Sequence, residues 1–313
     1  GGYSNLVIGE GYYISIGGGY QNTAGSGYAS IGGGRENTAN GYHATIAGGE
    51  SNEANSSSAF VGGGTDNKSN NTNAAIAGGY ANTVYGDYAT IGGGKENTAS
   101  SAYSFVGGGL SNDAANSIAT VSGGQENLAI NLGATIGGGY LNTASGEYAT
   151  VSGGKSNIAT SNYSFVGGGL GNDANNSIAT ISGGQDNFAS GGGATIGGGY
   201  LNTATGLDST VPGGYYNIAQ GDFSFAAGRQ AKANNQGCFV WSDSYGTDVP
   251  CNTNDRWVAR ASGGVYFYTN AALSSGSYLS PGSGCWSTLS DRNLKENFNL
   301  VDTHALLETL SQL

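Results

Sequence analysis

The stretch Ala134-Thr135-Ile136-Gly137-Gly138-Gly139-Tyr140-Leu141-Asn142-Thr143-Ala144-Ser145-Gly146-Glu147-Tyr148 is one unit of a repeat that fills most of the chain. Asn recurs at every fifteenth position from Asn22 to Asn217 without an insertion, and Ile or Val recurs with the same spacing from position 16 to 211. Gly fills a further column from position 18 to 228, and Ala dominates the column from 24 to 219. A fixed period of this kind is the sequence signature of a repeat architecture.

The rigid fifteen-residue period predicts a parallel β-solenoid rather than a helical repeat. Helical repeats need about 33 residues, whereas here short β-type triplets such as residues 134–136 alternate with Gly. Each unit therefore makes one coil of two or three short strands, and successive coils stack about 4.8 Å apart. We expect an all-β chain of about fifteen coils, roughly 70 Å long.

The invariant columns identify the interior of the predicted coil. Stacked β-branched side chains suit a pleated surface, so the Ile/Val column faces inward, with Ala where the coil is narrow. This structural core column is Ile16, Ile31, Ile46, Val61, Ile76, Ile91, Val106, Val121, Ile136, Val151, Val166, Ile181, Ile196 and Val211.

The Asn column has two interpretations. Each amide bonds the coils above and below it in a ladder, or the amides only cap turns. The column consists of Asn22, Asn37, Asn52, Asn67, Asn82, Asn97, Asn112, Asn127, Asn142, Asn157, Asn172, Asn187, Asn202 and Asn217.

Gly is expected at the corners of the coil, where it permits a positive φ without steric cost. The column that contains Gly18, Gly33 and Gly48 predicts one corner. A mixed column of Gly, Asn and Ser at positions 26, 41, 56, 71, 86, 101 and 116 predicts another.

A coil this thin buries little surface by itself. The outward position beside each core residue holds Thr45, Phe60, Ala75, Thr90 and Phe105 in successive coils. Because Phe side chains at an outward position need cover, we expect the coils of several chains to associate laterally.

The unit resembles the head repeat of the YadA-like trimeric autotransporter adhesins, whose pattern is close to S-x-A-I-G-x-x-S-x-A-x-G. Residues Ala44-Thr45-Ile46-Ala47-Gly48-Gly49-Glu50-Ser51-Asn52-Glu53-Ala54 match this pattern with one extra residue before Asn52, and Asn replaces the family's Ser. The resemblance covers residues 1–230, the predicted shaft. It implies a left-handed β-roll, a parallel homotrimer and an extracellular location.

The period fails after about residue 223, and residues 231–289 are predicted to form a small β tip or neck. A hairpin is expected over Trp257–Tyr268, with Gly263-Gly264 at its turn. Cys238 and Cys251 are close enough in sequence to form a disulfide that closes a short loop. The alternative is that these two and Cys285 are all free thiols.

The segment Ser290-Asp291-Arg292-Asn293-Leu294-Lys295-Glu296-Asn297-Phe298 resembles the opening of the endosialidase-type intramolecular chaperone found in phage tail fibres and tail spikes. Residues 290–313 are therefore expected to begin such a domain, with a helix carrying Leu306, Leu307, Leu310 and Leu313. The resemblance implies that Ser290 and Lys295 form a dyad for self-cleavage between Leu289 and Ser290. The Lys would act as the base that activates the Ser hydroxyl.

Composition argues against several classes of function. A net charge of −11 argues against nucleic acid and anionic membrane surfaces as partners, and no run approaches the roughly 20 apolar residues of a membrane helix. Neither His43 nor His304 has a partner at metal-ligand spacing. The GGG-x-x-N repeat never opens a helix, so it is no nucleotide-binding loop. We expect no bound cofactor, no bound metal and no enzymatic activity apart from a single self-cleavage.

Two classes of function remain. The first is a structural fibre or adhesin shaft, in a phage tail fibre or a bacterial surface appendage, that presents a surface for host attachment. The second is a module that binds cell-surface glycan through exposed Tyr80, Tyr140 and Tyr200, which follow a second, fourfold longer period. An ice-binding array of outward Thr is disfavoured, because Phe60 and Phe105 interrupt it.

Overall fold

The computed structural model describes residues 1–8, 13–289 and 302–312. They form two compact units, Gly1–Ala259 and Arg260–Leu313. The first unit is the predicted parallel β-solenoid. It has about 17 turns, more than the fifteen expected from the repeat, and on a spacing of about 4.8 Å it is about 80 Å long.

Each turn contributes one short strand, of two residues in the regular repeat, to each of two parallel ladders, and Gly214–Tyr215 is an additional strand of the first ladder. Ladder A carries the core column and consists of Ser15–Ile16, Ser30–Ile31, Thr45–Ile46, Phe60–Val61, Ala75–Ile76, Thr90–Ile91, Phe105–Val106, Thr120–Val121, Thr135–Ile136, Thr150–Val151, Phe165–Val166, Thr180–Ile181, Thr195–Ile196, Thr210–Val211, Gly214–Tyr215, Phe225–Arg229, Phe239–Ser242 and Trp257–Arg260.

Ladder B follows eight residues later in each regular turn. It consists of Leu6–Val7, Thr23–Ala24, Thr38–Ala39, Glu53–Ala54, Lys68–Ser69, Thr83–Val84, Thr98–Ala99, Asp113–Ala114, Leu128–Ala129, Thr143–Ala144, Ile158–Ala159, Asp173–Ala174, Phe188–Ala189, Thr203–Ala204, Ile218–Ala219, Ala231–Ala233 and Val249–Cys251.

A third line of contact joins the turns one residue at a time. This bridge column runs through Tyr3, Tyr20, Arg35, Glu50, Thr65, Tyr80, Lys95, Leu110, Gln125, Tyr140, Lys155, Leu170, Gln185, Tyr200 and Tyr215. Each turn thus makes backbone contact with its neighbours along three lines.

The interior consists of columns of Ile or Val and of Ala side chains, each stacked on its equivalent in the next turn. Every Ile or Val of the core column from Ile31 to Val211 is at most 1% exposed, whereas Ile16 near the beginning is only half-buried. Between Ala24 and Ala219, ladder B points Ala inward, with Ser69 and Val84 as exceptions. Burying one such Ile or Val side chain is worth about 1.5–3 kcal/mol, so each turn is held mainly by contact with the turns on either side.

The register explains where the sequence period fails. Thr135 pairs with Thr150 and Thr210 with Phe225, a step of fifteen, but Phe225 pairs with Phe239, a step of fourteen. In ladder B, Ala231 pairs with Val249, a step of eighteen. The parallel ladders therefore continue beyond residue 230, where the sequence suggests that the shaft ends, through turns of unequal length.

The positive φ angles do not fall where the Gly columns predict them. The last Gly of each run, from Gly19 to Gly214, has φ between 85° and 106°. The predicted column is inconsistent, since Gly138 has φ 153° and the φ of Gly123 is not positive. The second predicted corner is displaced by two residues. Ala89 N donates to Gly86 O at 3.3 Å, and the residue with positive φ in that turn is Tyr88, at 59°.

The second unit contains an antiparallel sheet of Val265–Tyr268, Gly276–Leu279 and Trp286–Leu289. The predicted hairpin around Gly263-Gly264 is wrong, since Val265–Tyr268 pairs within this sheet while Trp257–Arg260 belongs to ladder A. The predicted C-terminal helix is confirmed as Thr303–Leu310, and Asp302 caps it by accepting from the backbone N–H of His304 and Ala305.

Candidate functional site

The predicted self-cleavage dyad lies outside the described residues. Ser290 and Lys295 both fall between 290 and 301, and Leu289 is the last residue of a described strand. The dyad, the cleaved bond and the beginning of a chaperone domain therefore stay predictions from the resemblance. Leu313 is likewise outside the described residues.

The Asn column is a buried hydrogen-bond ladder, and it also caps turns. Asn142 N and Nδ2 donate to Asn127 Oδ1 at 3.0 and 3.1 Å. Asn142 Nδ2 also approaches Gly138 O of its own turn and Gly154 O of the next turn, each at 3.0 Å. All fourteen members of the column are at most 1% exposed. They hold the backbone of three successive turns together and are inaccessible to a ligand.

The three tyrosines predicted to bind glycan share the bridge column but do not form one site. They recur at every fourth turn, about 19 Å apart along the axis. The Lys95 ammonium lies 5.6 Å from the ring centroid of Tyr80, and Lys155 lies 5.6 Å from that of Tyr140. Tyr200 instead has Tyr215 as its neighbour, with ring centroids 5.7 Å apart.

A second set of exposed aromatics occupies the corner with positive φ, and sequence reasoning missed it. The large side chains of this corner column are Tyr13, Tyr28, His43, Tyr88, Tyr103, Ile118, Tyr148, Tyr163, Ile178 and Phe223. Tyr88 and Tyr103 stack with ring centroids 5.1 Å apart, and Tyr148 and Tyr163 stack at 5.6 Å. The Tyr at the last position of the repeat unit was the sequence feature that could have indicated this column.

The outer face of ladder A carries no charged residue in its two outward rows between Ser15 and Trp241, a range that the structure describes throughout. The first row contains only Ser, Thr, Ala and Phe from Ser15 to Phe239, and the second contains Gly, Ala, Ser, Pro and Trp from Gly17 to Trp241. Phe60, Phe105 and Phe165 on this face remain 36–40% exposed. The outward row of ladder B and the bridge column, by contrast, carry charges such as Lys68 and Lys95.

Two aspartates in ladder B have apolar residues as ladder neighbours. Asp113 is next to Leu128, and Asp173 lies between Ile158 and Phe188. Burial raises the pKa of Asp113, and the Ser100 hydroxyl, which donates to it at 3.2 Å, offsets part of this effect. Burial also raises the pKa of Asp173, whose Oδ1 is buried without a hydrogen-bond partner.

The last turns of the solenoid contain the disulfide and a cleft. Cys238 and Cys251 are bonded, and Cys285 is an exposed free thiol. Nearby, a cleft of about 250 Å³ is lined by Gly228, Arg229, Trp241, Ser242, Asp243 and Ser244.

Lys232 is buried in the same turns. Its ammonium donates to Tyr216 O at 2.7 Å and lies 3.7 Å from an Asp248 carboxylate oxygen. Burial lowers the pKa of Lys232, and Asp248 offsets part of that effect.

Three further findings concern metals, membranes and known proteins. Within residues 1–8, 13–289 and 302–312, no group of three or more His, Cys, Asp or Glu side chains is placed to hold a metal ion. No helix in that part of the chain is long and apolar enough to cross a membrane. No protein-family model and no curated protein matches the chain.

Proposed function

We propose that this chain forms the shaft of an extracellular fibre that attaches to a host or cell surface, in which three copies pack side by side. The observation that carries the proposal is the continuous parallel strand pairing of the solenoid from Leu6 to Cys251. Such a stack resists bending because every turn is bonded to both neighbours along three lines. A rigid spacer is the use that this geometry suits best.

The uncharged face of ladder A supports lateral association. A face that lacks charge over more than a dozen turns, and that exposes Phe60, Phe105 and Phe165 at intervals of three and four turns, is typical of a surface covered by another protein. The number three comes from the resemblance to the trimeric adhesins. Phe105 and Phe165 are four turns apart on this face. In copies that pack in register, each of these Phe side chains would lie at the same height as its equivalent in the neighbouring copy.

The disulfide supports the extracellular location. Structural disulfides persist in oxidising compartments and are rare in the cytosol. The bond between Cys238 and Cys251 joins the last turns of the solenoid, where the regular repeat no longer holds the chain.

The test is the mass of the full chain in solution. Light scattering should give about three times 31.2 kDa for the unaltered protein. Replacing both Phe105 and Phe165 with Glu places charges on the outer face of ladder A and should yield monomers with unchanged circular dichroism, because the side chains point away from the core.

The matched control replaces Lys95 and Lys155 with Glu. These residues are also four turns apart, but they lie in the bridge column, so the trimer should persist. An unaltered protein that is monomeric with native β-content would refute the association. Images of the same preparation by electron microscopy test the shaft itself, and compact particles without an elongated shape would refute that part.

A further inference from the structure

We infer that the antiparallel sheet of the second unit packs against the same sheet of neighbouring copies, so that several chains build one shared core there. The partner is a second copy of this chain, and the contact surface is the side of the sheet that carries Val265, Phe267, Leu279 and Trp286, here named the apolar sheet face. This extends the proposed association from the outer face of ladder A to a second surface, and it rests on the proposal that copies pack side by side.

The described part of the second unit has no core of its own. Among residues 260–289 and 302–312, none is buried. The helix adds no cover, since every residue from 302 to 312 is exposed, including Leu306 at 55% and Leu310 at 59%. A sheet with an apolar face must bury that face against another element, and these residues do not supply one.

The apolar sheet face spans all three strands. Val265 pairs with Leu279, and Leu279 pairs with Trp286 on the other side, so the three side chains lie on one face. Phe267 lies on the same face, with its ring centroid 5.5 Å from that of Trp286. Both aromatic residues remain more than half exposed, Phe267 at 53% and Trp286 at 54%.

The opposite face of the sheet is suited to water. It carries Tyr266, Tyr268 and Tyr278, whose rings stack with centroids 5.4 Å apart for Tyr266 and Tyr278 and 5.9 Å apart for Tyr266 and Tyr268. A tyrosine packs through its ring while its hydroxyl stays hydrated. The apolar sheet face is therefore the side that requires a protein partner.

The absence of charge favours a copy of the same chain as that partner. No Asp, Glu, Lys, Arg or His occurs between Ala261 and Leu289. Contacts between copies of one chain are more apolar than contacts between different proteins, which use complementary charges to select a partner. The outer face of ladder A, where copies are proposed to meet, has the same uncharged character.

The chain connection brings the sheets of different copies together. Trp257–Arg260 is a strand of ladder A, and Val265–Tyr268 begins after only four further residues. Copies that associate through ladder A thus hold their sheets at a high effective concentration. Under this condition, a contact surface of three short strands is sufficient, although it would be too small to join free chains.

The experiment measures hydrogen exchange in the full chain, both in the unaltered protein and in the variant that replaces Phe105 and Phe165 with Glu. Light scattering reports the mass of each sample. In the separated copies of the variant, we expect the amides of Gly276–Leu279 to exchange at least about tenfold faster, because the shared core is lost. Amides between Ile31 and Ala54 should exchange equally in both proteins, since their hydrogen bonds lie within one chain.

A second pair of variants assigns the face of the sheet. Replacing Phe267 and Trp286 with Ser should accelerate the same exchange at least about tenfold, while the shaft retains the mass of the assembly. Replacing Tyr266 and Tyr268 with Ser alters the opposite face and is the matched control. It should change the exchange by less than about threefold.

Three results would contradict the inference. Exchange of Gly276–Leu279 at the same rate in the assembled protein and in the separated copies would overturn it and leave the shaft proposal intact, because neighbouring copies would then add nothing to the sheet. A larger effect of the Tyr pair than of Phe267 and Trp286 would overturn the assigned face. An unaltered protein that is monomeric would overturn both proposals, so the two failures are distinguishable.

Discussion

At the scale of single residues, the buried Asn column shows why one amino acid recurs without exception. Only an amide side chain of this length both accepts from the next turn and donates to carbonyl groups of two turns. Asp of the same shape cannot donate, and Ser is too short to reach. The residue before each Asn has a positive φ, as Leu141 does at 57°, so the backbone next to the ladder is strained.

Asn142→Ala should therefore destabilise the middle of the solenoid. It removes the donor to Gly138 O and Gly154 O and the acceptor of Asn157 N, leaving buried polar groups without partners. The expected loss is about 3 kcal/mol. Hydrogen exchange of the turns on either side measures it, with Thr143→Ser, on the outward neighbour, as a control expected within about 0.5 kcal/mol. Equal protection in both variants would contradict the role of the ladder.

The aspartates of ladder B predict an unusual dependence of stability on pH. Burial raises the pKa of Asp113 and Asp173 in the folded protein, so the folded state binds their protons more tightly than the unfolded state does. Their contribution is thus most favourable below the unfolded pKa of about 3.9 and is lost as pH rises through the folded pKa.

Replacing both aspartates with Asn removes this dependence. The variant should melt at a higher temperature than the unaltered protein at pH 7, and the difference should shrink toward pH 3. Glu147→Gln, which removes one carboxylate at a turn position outside ladder B, serves as the control. A difference in melting temperature that is constant over the pH range would show that charge burial is not the cause.

Single residues also show where sequence reasoning reaches its limit. The core column and the Asn column were visible because stacking demands the same type of side chain in every turn. The corner column was not visible as a turn, since Tyr88, Ile118 and His43 are not residues that signal a positive φ. The positive φ at this corner accompanies contact between turns, and the types of residue in the column do not predict it.

At the scale of the element, the Gly run is what lets two-residue strands close into a turn. Its last Gly faces the next turn so closely that no side chain fits, because a Cβ on Gly124 would lie 2.2 Å from Gly139 O. The residue before it has room, since a Cβ on Gly123 would meet nothing closer than 4.0 Å. Two neighbouring glycines thus have different roles within one loop.

This difference gives a matched pair of variants. Gly124→Ala should cost more than about 2 kcal/mol, since it combines a strained positive φ with a backbone clash. Gly123→Ala should be neutral or stabilise by up to about 1 kcal/mol. Chemical denaturation of the two proteins under the same conditions compares them. If both substitutions were tolerated equally, the close approach of Gly124 to the next turn would not be a constraint.

At the scale of the whole molecule, the solenoid of the first unit is a one-dimensional stack whose ends differ from its middle. The repeat predicted the middle because each turn there repeats the same contacts. It did not predict the last turns, where pairing steps of fourteen and eighteen replace the regular step and no periodic signal remains. The antiparallel sheet of the second unit has no internal repeat at all, so only its strand-like composition could be recognised in advance.

The disulfide should act as a clamp on the last turns alone. In a stack, each turn contacts only its neighbours, so a local change propagates a short way. Replacing Cys238 and Cys251 with Ala frees a loop of 13 residues, which by chain entropy is worth about 3 kcal/mol. Hydrogen exchange should accelerate between Phe225 and Cys251 and stay unchanged between Thr120 and Val151. Cys285→Ala, at the exposed free thiol, should alter neither region. Loss of protection spread evenly over all turns would mean that the solenoid unfolds as one cooperative unit, and that the stack does not open from its end.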